Sequence, residues 1–584
     1  MAFDVERLSK LRAQMKQDGL VAYLITTGDP HDSEEPAPFF AAERRYFCPF
    51  TGDNAFVLVT MDGAYLWTDG RFFISAEQEL EGSTYQLMKM STPGYPSLSD
   101  FLKAKNLYPL GLDESVVSPS FLGSISHGPI KDINYRSLVE NMPPFPNGKI
   151  WKFDGPEYHD LTAGEKIESV KAKVKAAGAK AHLITTLDDI AYLTNLRGND
   201  IECTPLFYSY LYIDIDENPY LFVNEDSIGF DYPPFNILPY ASLPSFLKER
   251  ADVPTLIDED KANAEVATIL HNRIDGKMPS RLMKAVKGPK EIENIKSIQE
   301  EDGVALLKLI AYLDEHKGEK LTEWDIVEVL HGFRAEGKRF FEESFTTIAA
   351  AGPNAAMMHY APTAKSFSEV DPSSCQQLLV DSGGQYYGGT TDTTRTFPIG
   401  KLCAEYIRDY TLTLKSVISL SDCVFLQGST GRPIDMMARY IMWQEGMDYK
   451  CGTGHGVGYV SVVHESPNGF RYRQAPGKDD DAVNVPGMVT TIEPGVYKKD
   501  KWGIRIENNL LTVPAFETED GVFYKFETIT YVPIDLEAVD VSLLTDREIA
   551  WINAYHQEVY RRLSKLVSGK LLEVLEKKTR PLSR

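Results

Sequence analysis

Hydrophobic and polar positions follow a pattern that occurs twice in the first half of the chain. Each copy has a charged amphipathic helix pattern, a glycine and then an apolar strand pattern, which reads AYLITTGD at residues 22–29 and AHLITTLD at residues 181–188. Both copies continue into strand-like runs, AFVLVTMDGAYLWTD and FYSYLYIDIDENPYLFVN. A helix followed by an apolar strand begins an α/β unit. The repeat predicts two related α/β domains, with chance similarity of short helix–strand junctions as the alternative.

A change of pattern near MKAVKGPKEIENIKSIQ predicts a further boundary, because Gly288–Pro289 interrupts the chain before a new helix. The apolar positions of that helix repeat close to every 3.6 residues, at Ile292, Ile295, Ile298, Val304, Leu307 and Ile310. Short strand-like segments with glycine turns follow, and a helical segment ends the chain. We therefore predict α/β domains at residues 1–155 and 156–286, and an α+β domain of helices and antiparallel sheet at 287–584 with a helical C-terminal extension.

Length and composition narrow the functional classes. The chain has 584 residues, more than one ordinary core, and its 43% apolar and 25% charged residues are typical of a globular protein. Its 84 acidic and 61 basic side chains give a net charge of −23, which repels phosphate backbones and anionic lipid, so neither nucleic acid nor a membrane is an expected partner. An apolar run long enough to span a bilayer and a secretory apolar segment are both missing, and we predict a cytoplasmic protein.

The cysteines agree with a reducing compartment, because they are scattered without the spacing of a zinc site or a disulfide framework. They are Cys48, Cys203, Cys375, Cys403, Cys423 and Cys451.

The segment DSGGQYYGGTTDTTRTF holds two aspartates eleven residues apart, Asp381 and Asp392. Asp381 follows a buried-strand pattern, and a turn at Gly388–Gly389 would bring Asp392 back on an adjacent strand, so that both carboxylates face one point. A β-hairpin with two acidic turn residues is the alternative.

Three further candidates lie in the same domain. His455 stands between glycines in CGTGHGVG, and Glu493 and Glu507 each follow an isoleucine in a strand-like segment. Either glutamate alone could be a surface residue at a strand end. Together, four carboxylates and one imidazole in apolar or glycine-rich surroundings indicate a pair of divalent cations, since burying unpaired charge is costly. Such a set suits Mn²⁺ or Co²⁺, with Zn²⁺ as an alternative, and the inference is a dinuclear hydrolase site.

Several motifs, taken in order, carry a family resemblance. The chain contains DSGGQYYGGTTDTTRT, GTGHGVG, VVHESP, TIEPGVY and GIRIEN, preceded by LDDIAYLTNLRGNDIECTPLFYSYLYI and followed by LTDREIAWINAYH. In these motifs it resembles the pita-bread metallopeptidases, and among them the large cytosolic aminopeptidase P group. The resemblance implies two N-terminal α/β domains and a C-terminal pita-bread catalytic domain, which forms homodimers. It also implies release of the N-terminal residue from Xaa-Pro peptides with two metal ions, Mn²⁺ being favoured.

The resemblance also assigns roles to individual residues. It makes Asp381, Asp392, His455, Glu493 and Glu507 the metal ligands. Asp392 and Glu507 would bridge both ions, Asp381 would bind one, and His455 and Glu493 would bind the other. Glu493 would also act as the general base.

Further matches lie beside the ligands. His359, in GPNAAMMHYAPT, and His464 match histidines that hold the scissile carbonyl and stabilise the tetrahedral intermediate or carry a proton. Arg505, two residues before Glu507, would orient the metal carboxylates. A packed core position for His359 and a surface position for Arg505 are the alternatives. Cys451 departs from the family, which often has a histidine there, and the departure removes no proposed ligand.

Three other functions are compatible with parts of the sequence pattern. A prolidase would use the same ligands on Xaa-Pro dipeptides, a metal-free pita-bread binding module would lack several ligands, and a creatinase-like hydrolase needs no metal. The two N-terminal domains and the complete ligand set favour the aminopeptidase. Those domains would restrict access of substrates to chain ends. Either Arg44, Arg45 and Arg71 take part in that restriction or they are ordinary solvated arginines.

Overall fold

A computed structural model describes residues 2–373, 377–473 and 481–584 of the chain. Cys375 lies outside these ranges. The chain forms two compact units, one built from Met1–Asp154 and Leu161–Arg281 and the other from Gly155–Asp160 and Leu282–Arg584. The predicted boundaries at 155/156 and 286/287 stay a prediction, and the sequence did not anticipate that six residues of the linker belong to the second unit.

The first unit contains helices and two sheets, each of which has both parallel and antiparallel strand pairs. The helices up to its end are α1 (Ala2–Gln17), α2 (Pro38–Phe47), α3 (Phe73–Glu79), α4 (Leu98–Lys105), α5 (Pro119–Ile125), α6 (Ala163–Ala176), α7 (Leu187–Thr194), α8 (Leu243–Lys248), α9 (Ala264–Ile269) and α10 (Pro279–Ala285). The strands are β1 (Ala22–Thr26), β2 (Ala55–Thr60), β3 (Ala64–Thr68), β4 (Gln86–Lys89), β5 (Leu110–Leu112), β6 (Ile130–Asp132), β7 (Ile150–Lys152), β8 (Ala181–Ile184), β9 (Leu196–Gly198), β10 (Ser209–Asp214), β11 (Tyr220–Val223), β12 (Asn236–Pro239), β13 (Thr255–Ile257) and β14 (Arg273–Asp275).

The two sheets share one topology, which confirms that the N-terminal domains are related. Their strand orders are β4-β3-β2-β1-β5-β6 and β12-β11-β10-β8-β13-β14. The strand pairings of the two sheets correspond. On one side, β1 pairs antiparallel with β2, as β8 does with β10, and on the other side β1 pairs parallel with β5, as β8 does with β13. The alternative of chance similarity is therefore wrong.

The arginines of the first domain differ in exposure. Arg44 is buried and its Nη1 donates a hydrogen bond to the carbonyl of Phe50 at 2.6 Å, so it is not a solvated arginine. Arg45 is exposed. Arg71 forms ion pairs with Asp69 and Glu34.

The second unit combines helices with antiparallel sheets. Its helices are α11 (Pro289–Glu315), α12 (Glu323–Ala335), α13 (Ala404–Ser421), α14 (Gly431–Gln444), α15 (Asp546–Leu563) and α16 (Lys570–Lys578). Its strands are β15 (Leu321–Thr322), β16 (Phe340–Glu343), β17 (Ile348–Ala351), β18 (Glu369–Val370), β19 (Gln377–Ser382), β20 (Gly384–Tyr386), β21 (Gly389–Thr390), β22 (Thr393–Pro398), β23 (Val424–Leu426), β24 (Gly454–Gly456), β25 (Glu465–Phe470), β26 (Val489–Ile492), β27 (Gly495–Lys498), β28 (Trp502–Arg505), β29 (Asn508–Thr518) and β30 (Gly521–Thr528).

Helix α11 begins where the sequence predicts, at Pro289, and buries Ile295, Ile298, Leu307 and Ile310. Proline suits the first turn because the missing N–H has no partner in a helix there. The carboxylate of Asp160 accepts hydrogen bonds from the backbone N–H of Lys290 and of Glu291, at 3.1 and 3.4 Å. A residue of the linker thus satisfies donors that the N-terminus of the helix leaves open.

One apolar core of the second unit packs helices against sheet. On α13, Tyr406, Tyr410, Leu414 and Val417 are buried at helical spacing, and they belong to one apolar cluster with side chains of β26, β28 and β29. The strands that this core holds in place are the ones that end at the polar cluster described below. Within the described residues, no helix is long and apolar enough to cross a membrane.

Candidate metal centre

The hairpin between β19 and β22 places the two aspartates. Asp381 lies on β19 opposite Thr394 of β22, and Asp392 lies directly before β22. The chain between them forms the pair β20–β21, in which Tyr386 faces Gly389, with φ of 128° at Gly388 and 154° at Gly389. Glycine adopts these values at no steric cost. The predicted turn is confirmed, and both carboxylates are buried.

His455 lies on β24 and is held by its backbone and its ring. Its N–H donates to Thr491 Oγ1 at 3.1 Å, and its Nδ1 is 2.9 Å from the carbonyl oxygen of Gly456. A carbonyl only accepts, so Nδ1 carries the proton and Nε2 faces the carboxylates. Nε2 is 3.4 Å from Asp392 Oδ2 and 3.3 Å from Glu493 Oε1.

The two glutamates follow β26 and β28. Glu493 is fixed by its backbone N–H, which donates to the carbonyl of Thr453 at 2.7 Å. Glu507 is almost completely buried; its N–H donates to the carbonyl of Thr394 at 3.1 Å, and Thr394 Oγ1 donates to Glu507 Oε2 at 2.7 Å. Donor atoms of Asp392, His455 and Glu507 all lie within 4.8 Å of one another.

The electrostatics of this cluster attract positive charge. Burial and the neighbouring carboxylates raise the pKa of Asp392 to about 6 and hold the pKa of Glu507 well above its usual range, although the hydrogen bond from His455 opposes the shift at Asp392. Burial alone would lower the pKa of His455, but Asp392 and Glu493 raise it to about 9. Carboxylates that are this buried and this close to one another favour a bound proton or cation.

Arg505 balances only part of the negative charge. It is buried, so the surface alternative is wrong. Its Nη2 and Nε lie 2.5 and 3.1 Å from Asp381 Oδ2, while Asp381 Oδ1 is buried and has no hydrogen-bond partner among the described residues. A buried carboxylate oxygen without such a partner, next to more carboxylates and an imidazole nitrogen, fits divalent cations with mainly oxygen ligands.

The two remaining histidines are placed differently. The ring of His464 lies 4.2 Å from the ring of His455, centre to centre, in an edge-to-face arrangement at 81°. His359 is exposed, so the alternative of a packed core residue is wrong. The residue before it, Met358, accepts a hydrogen bond from Arg505 Nη2 at 3.4 Å, which ties the His359 loop to the cluster.

Cys451 packs beside the site against an apolar cluster that includes Tyr449 and Val496. Burial, assisted by the negative charge of Glu493, raises the pKa of its thiol to about 12. The thiolate is the metal-binding and readily oxidised form, so this thiol is a poor ligand at neutral pH.

Sequence reasoning missed several polar residues that support the cluster. Thr394 Oγ1 contacts both Glu507 and Arg505, and Tyr497 accepts from Arg505 Nη1 at 2.7 Å. Asn509 Nδ2 donates to the carbonyl of Asp392 at 2.9 Å. A signal existed for Thr394, which stands two residues after Asp392 and so points to the same side of the strand.

Glycines allow the strands around the site to approach closely. A Cβ atom on Gly383 would lie 1.8 Å from the carbonyl oxygen of Thr391, and one on Gly454 would lie 1.9 Å from that of Thr491. Both distances are far below van der Waals contact. No side chain fits at either position without separating strands that carry the polar cluster.

Family comparisons cover nearly the whole chain. The model described as metallopeptidase family M24 matches residues 293–514, and the C-terminal region of the same peptidases matches 522–582. Two models described as Creatinase/Prolidase N-terminal domain match residues 7–140 and 141–291.

Individual relatives align end to end. The chain is 35% identical to a probable Xaa-Pro aminopeptidase P of Laccaria bicolor, over 99% of this chain and 93% of that protein. It is 33% identical to Xaa-Pro aminopeptidase 1 of Dictyostelium discoideum, over 99% and 96%. Among solved structures, X-prolyl aminopeptidase from Caenorhabditis elegans, described as a cytosolic enzyme with a di-nuclear active site, matches with a TM-score of 0.91 and 30% identity over 99% of this chain and all of that chain.

Proposed function

Because the chain belongs to metallopeptidase family M24, we propose that it is an Xaa-Pro aminopeptidase, which hydrolyses the first peptide bond of peptides that have proline in the second position. The observation that carries this proposal is the buried cluster of Asp392, His455 and Glu507, whose donor atoms lie within 4.8 Å, with Glu493 beside the histidine. Relatives named as Xaa-Pro aminopeptidases support the substrate class.

Two divalent cations would be held by the five predicted ligands. Asp392 and Glu507 would be shared by both ions, Asp381 would hold one ion, and His455 and Glu493 would hold the other. The di-nuclear site of the Caenorhabditis elegans enzyme supports two ions, and the oxygen-rich set favours Mn²⁺, with Zn²⁺ and Co²⁺ as alternatives. When bound, such a pair supplies Lewis acidity and lowers the pKa of a water molecule so that hydroxide forms near neutral pH.

The protein side chains supply orientation and proton transfer. Glu493 accepts the proton of the attacking water as a general base. His464, whose ring contacts that of His455, donates a hydrogen bond to the scissile carbonyl oxygen as negative charge develops there, and His359 assists from the exposed loop. Arg505 holds Asp381 through one oxygen and leaves the other free of hydrogen bonds to the described residues.

The proline requirement has a physical basis. The bond before proline is a tertiary amide with no N–H, so peptidases that need this donor cannot use it. A prolidase would act on the dipeptide instead, and the full-length match to aminopeptidase P relatives, including both N-terminal domains, favours the longer substrate.

We place the enzyme in the cytoplasm as a homodimer. The cytosolic relative from Caenorhabditis elegans supports the compartment. The dimer would form through the catalytic domain, where helix α14 exposes Met437, Tyr440 and Trp443 at three-residue spacing, with 45%, 55% and 42% of each residue accessible. We call these three residues the α14 face. Large apolar side chains clustered on one exposed helix face are typical of a protein interface.

The decisive experiment is a peptide assay with defined metal content. The purified protein is stripped with a chelator, reloaded with Mn²⁺, Zn²⁺ or Co²⁺, and incubated separately with Xaa-Pro-Pro, Xaa-Pro and Xaa-Ala-Pro peptides. Release of the free first residue from Xaa-Pro-Pro alone is expected. The Asp392→Asn variant is the matched control for a contaminating peptidase.

Two outcomes would contradict the proposal. Cleavage of the dipeptide but not of Xaa-Pro-Pro would make the protein a prolidase. Failure to take up any divalent cation, together with no hydrolysis, would support a binding module.

A further inference from the structure

A buried ion pair lies next to His464 and outside the proposed ligand set. It joins Lys287 Nζ to Glu465 Oε2, and the two side chains are only 1% and 3% exposed. Lys287 precedes α11, and its backbone N–H donates to the carbonyl of Gly487 at 3.0 Å. Glu465 is the first residue of β25 and the immediate neighbour of His464.

The backbone of Glu465 is pressed against the strand that carries His455. Glu465 faces Gly456, the residue after His455, in the β24–β25 pair. A Cβ atom on Gly456 would lie 2.3 Å from the carbonyl oxygen of Glu465. Fixing the Glu465 side chain therefore fixes the chain at the point where His464 meets His455.

A second anchor lies three residues before His464. The N–H of Ser461 donates to Thr390 Oγ1 at 3.2 Å, and the carbonyl of Ser461 accepts from Gln385 Nε2 at 2.8 Å. Between the two anchors, Val462, Val463 and His464 are half-buried. Only these three residues separate Ser461 from Glu465, so little freedom remains for the histidine.

The backbone next to the Ser461 anchor has an unfavourable conformation. Val460, which is buried, has a φ of 51°, a left-handed conformation that a β-branched residue rarely adopts. Such a conformation persists only where the surroundings impose it. Val460 directly precedes Ser461, so the hydrogen bonds of Ser461 act next to this unfavourable backbone.

We propose that the Lys287–Glu465 ion pair positions His464 against the metal centre. Lys287 and Glu465 are therefore positioning residues for the hydrolytic reaction. This inference rests on the function proposed above for His464. Burying a charge pair is expensive, and the pair brings specificity of conformation rather than stability, since apolar replacements of such pairs are often neutral in stability.

The test is a set of variants assayed on Xaa-Pro-Pro with metal content and melting temperature measured on the same samples. Lys287→Met/Glu465→Met replaces the pair without leaving a single buried charge. We expect near-native melting temperature and metal content, little change in KM, and a fall in kcat of about 10- to 100-fold. Lys415→Met, which breaks a half-buried ion pair with Glu548 between α13 and α15, is the control and should leave kcat unchanged.

Combination with His464→Ala distinguishes positioning from general damage. If the ion pair acts through His464, the double methionine change lowers kcat no further in the His464→Ala background. An unchanged kcat in the double methionine variant would overturn the inference. So would a triple variant in which the fall in kcat is the product of the falls caused by the methionine pair and by His464→Ala separately. If the methionine pair does not fold, Lys287→Gln/Glu465→Gln takes its place, with the same lack of additivity expected.

A failure of the proposed function can be distinguished from a failure of the positioning inference. If the wild-type protein does not cleave Xaa-Pro-Pro, the proposed function is wrong. If it does, and His464→Ala lowers kcat while replacement of the ion pair does not, only the positioning inference is wrong.

Discussion

Two nitrogens of the Arg505 guanidinium contact the same oxygen of Asp381, Nη2 at 2.5 Å and Nε at 3.1 Å from Oδ2. The same guanidinium donates to Tyr497 and reaches Thr394. The planar group therefore orients the carboxylate and leaves its Oδ1 without a hydrogen-bond partner among the described residues.

Arg505→Lys should weaken metal binding. A lysine ammonium cannot reproduce the several directional contacts of the guanidinium. Because residues that orient metal ligands typically change metal affinity or activity by 10–100-fold, we expect a loss of about that size in both. Metal content after equilibration with a competing chelator measures it, and Arg562→Lys, which changes an ion pair with Glu300, is the control. Unchanged affinity would show that Arg505 does not orient a ligand.

Asp392→Asn and Glu507→Gln should each lose bound metal and nearly all turnover. Each removes negative charge from a buried group proposed to bridge two cations, at almost constant shape. Elemental analysis and the Xaa-Pro-Pro assay measure both effects, with Asp422→Asn at a surface ion pair as the control. Normal activity in either variant would contradict the bridging assignment.

His464→Ala should separate chemistry from metal binding. The histidine contacts the ring of His455 but is not a proposed ligand, so metal content should stay native. Loss of a hydrogen-bond donor to developing negative charge should lower kcat by about 100-fold. A variant that loses its metal as well would instead indicate a role for His464 in metal binding.

The contribution of the polar cluster to the stability of the metal-free protein should fall as pH rises. In the folded protein the pKa of Asp392 is raised from 3.8 to about 6, that of His455 from 6.5 to about 9, and that of Glu507 well above its usual range. Between their unfolded and folded pKa values these three groups bind more protons in the folded state, so their contribution to the free energy of unfolding decreases with increasing pH. The window runs from about pH 4 to about pH 9 for these groups.

Metal binding should show the opposite dependence, because cations compete with protons for the same ligands. The increase in melting temperature caused by Mn²⁺ should therefore be larger at neutral pH than under acid conditions. Thermal unfolding of chelator-treated and Mn²⁺-loaded protein across this range measures both trends. A stabilisation by Mn²⁺ that does not change with pH would contradict the assignment of these groups as ligands.

Tyr440→Glu should convert the proposed dimer to a monomer. A charge in the middle of the α14 face would be buried without a partner if that face formed the interface. Sedimentation velocity over a range of protein concentrations measures the change. Tyr95→Glu, at a tyrosine of the first unit that is 39% exposed, is the control. A dimer that persists in the Tyr440 variant would place the interface elsewhere.

Periodicity predicted most elements but not their partners. The β19–β22 hairpin, the start of α11 and the repeated sheets follow from local patterns, because turn glycines and apolar spacing act within a few residues. The contact between Lys287 and Glu465 spans 178 residues, and the sequence around neither residue contains a pattern that predicts it. The pairing of Tyr497 with Arg505 depends likewise on the register of β27 and β28. Such pairs depend on tertiary packing, which a single sequence does not encode in any short pattern.

The candidate site shows the same division. Carboxylates flanked by apolar residues and glycines predicted a metal centre, whereas the roles of individual residues were assigned from the family resemblance. The exposure of His359 could not be read from its neighbours, since two methionines precede it, whereas the isoleucines that flank Arg505 favoured its burial.

The close backbone contacts at Gly383 and Gly454 bear on how this protein can change over evolutionary time. A descendant that exchanged Asp392 or Glu507 for a neutral side chain of similar shape would lose an ion yet keep every strand in place, and could survive as a scaffold for other proteins. One that acquired even an alanine at either glycine would force neighbouring strands apart. Catalysis is thus easier to lose than architecture, and inactive descendants should be recognised by motifs that keep their glycines after the acids have gone.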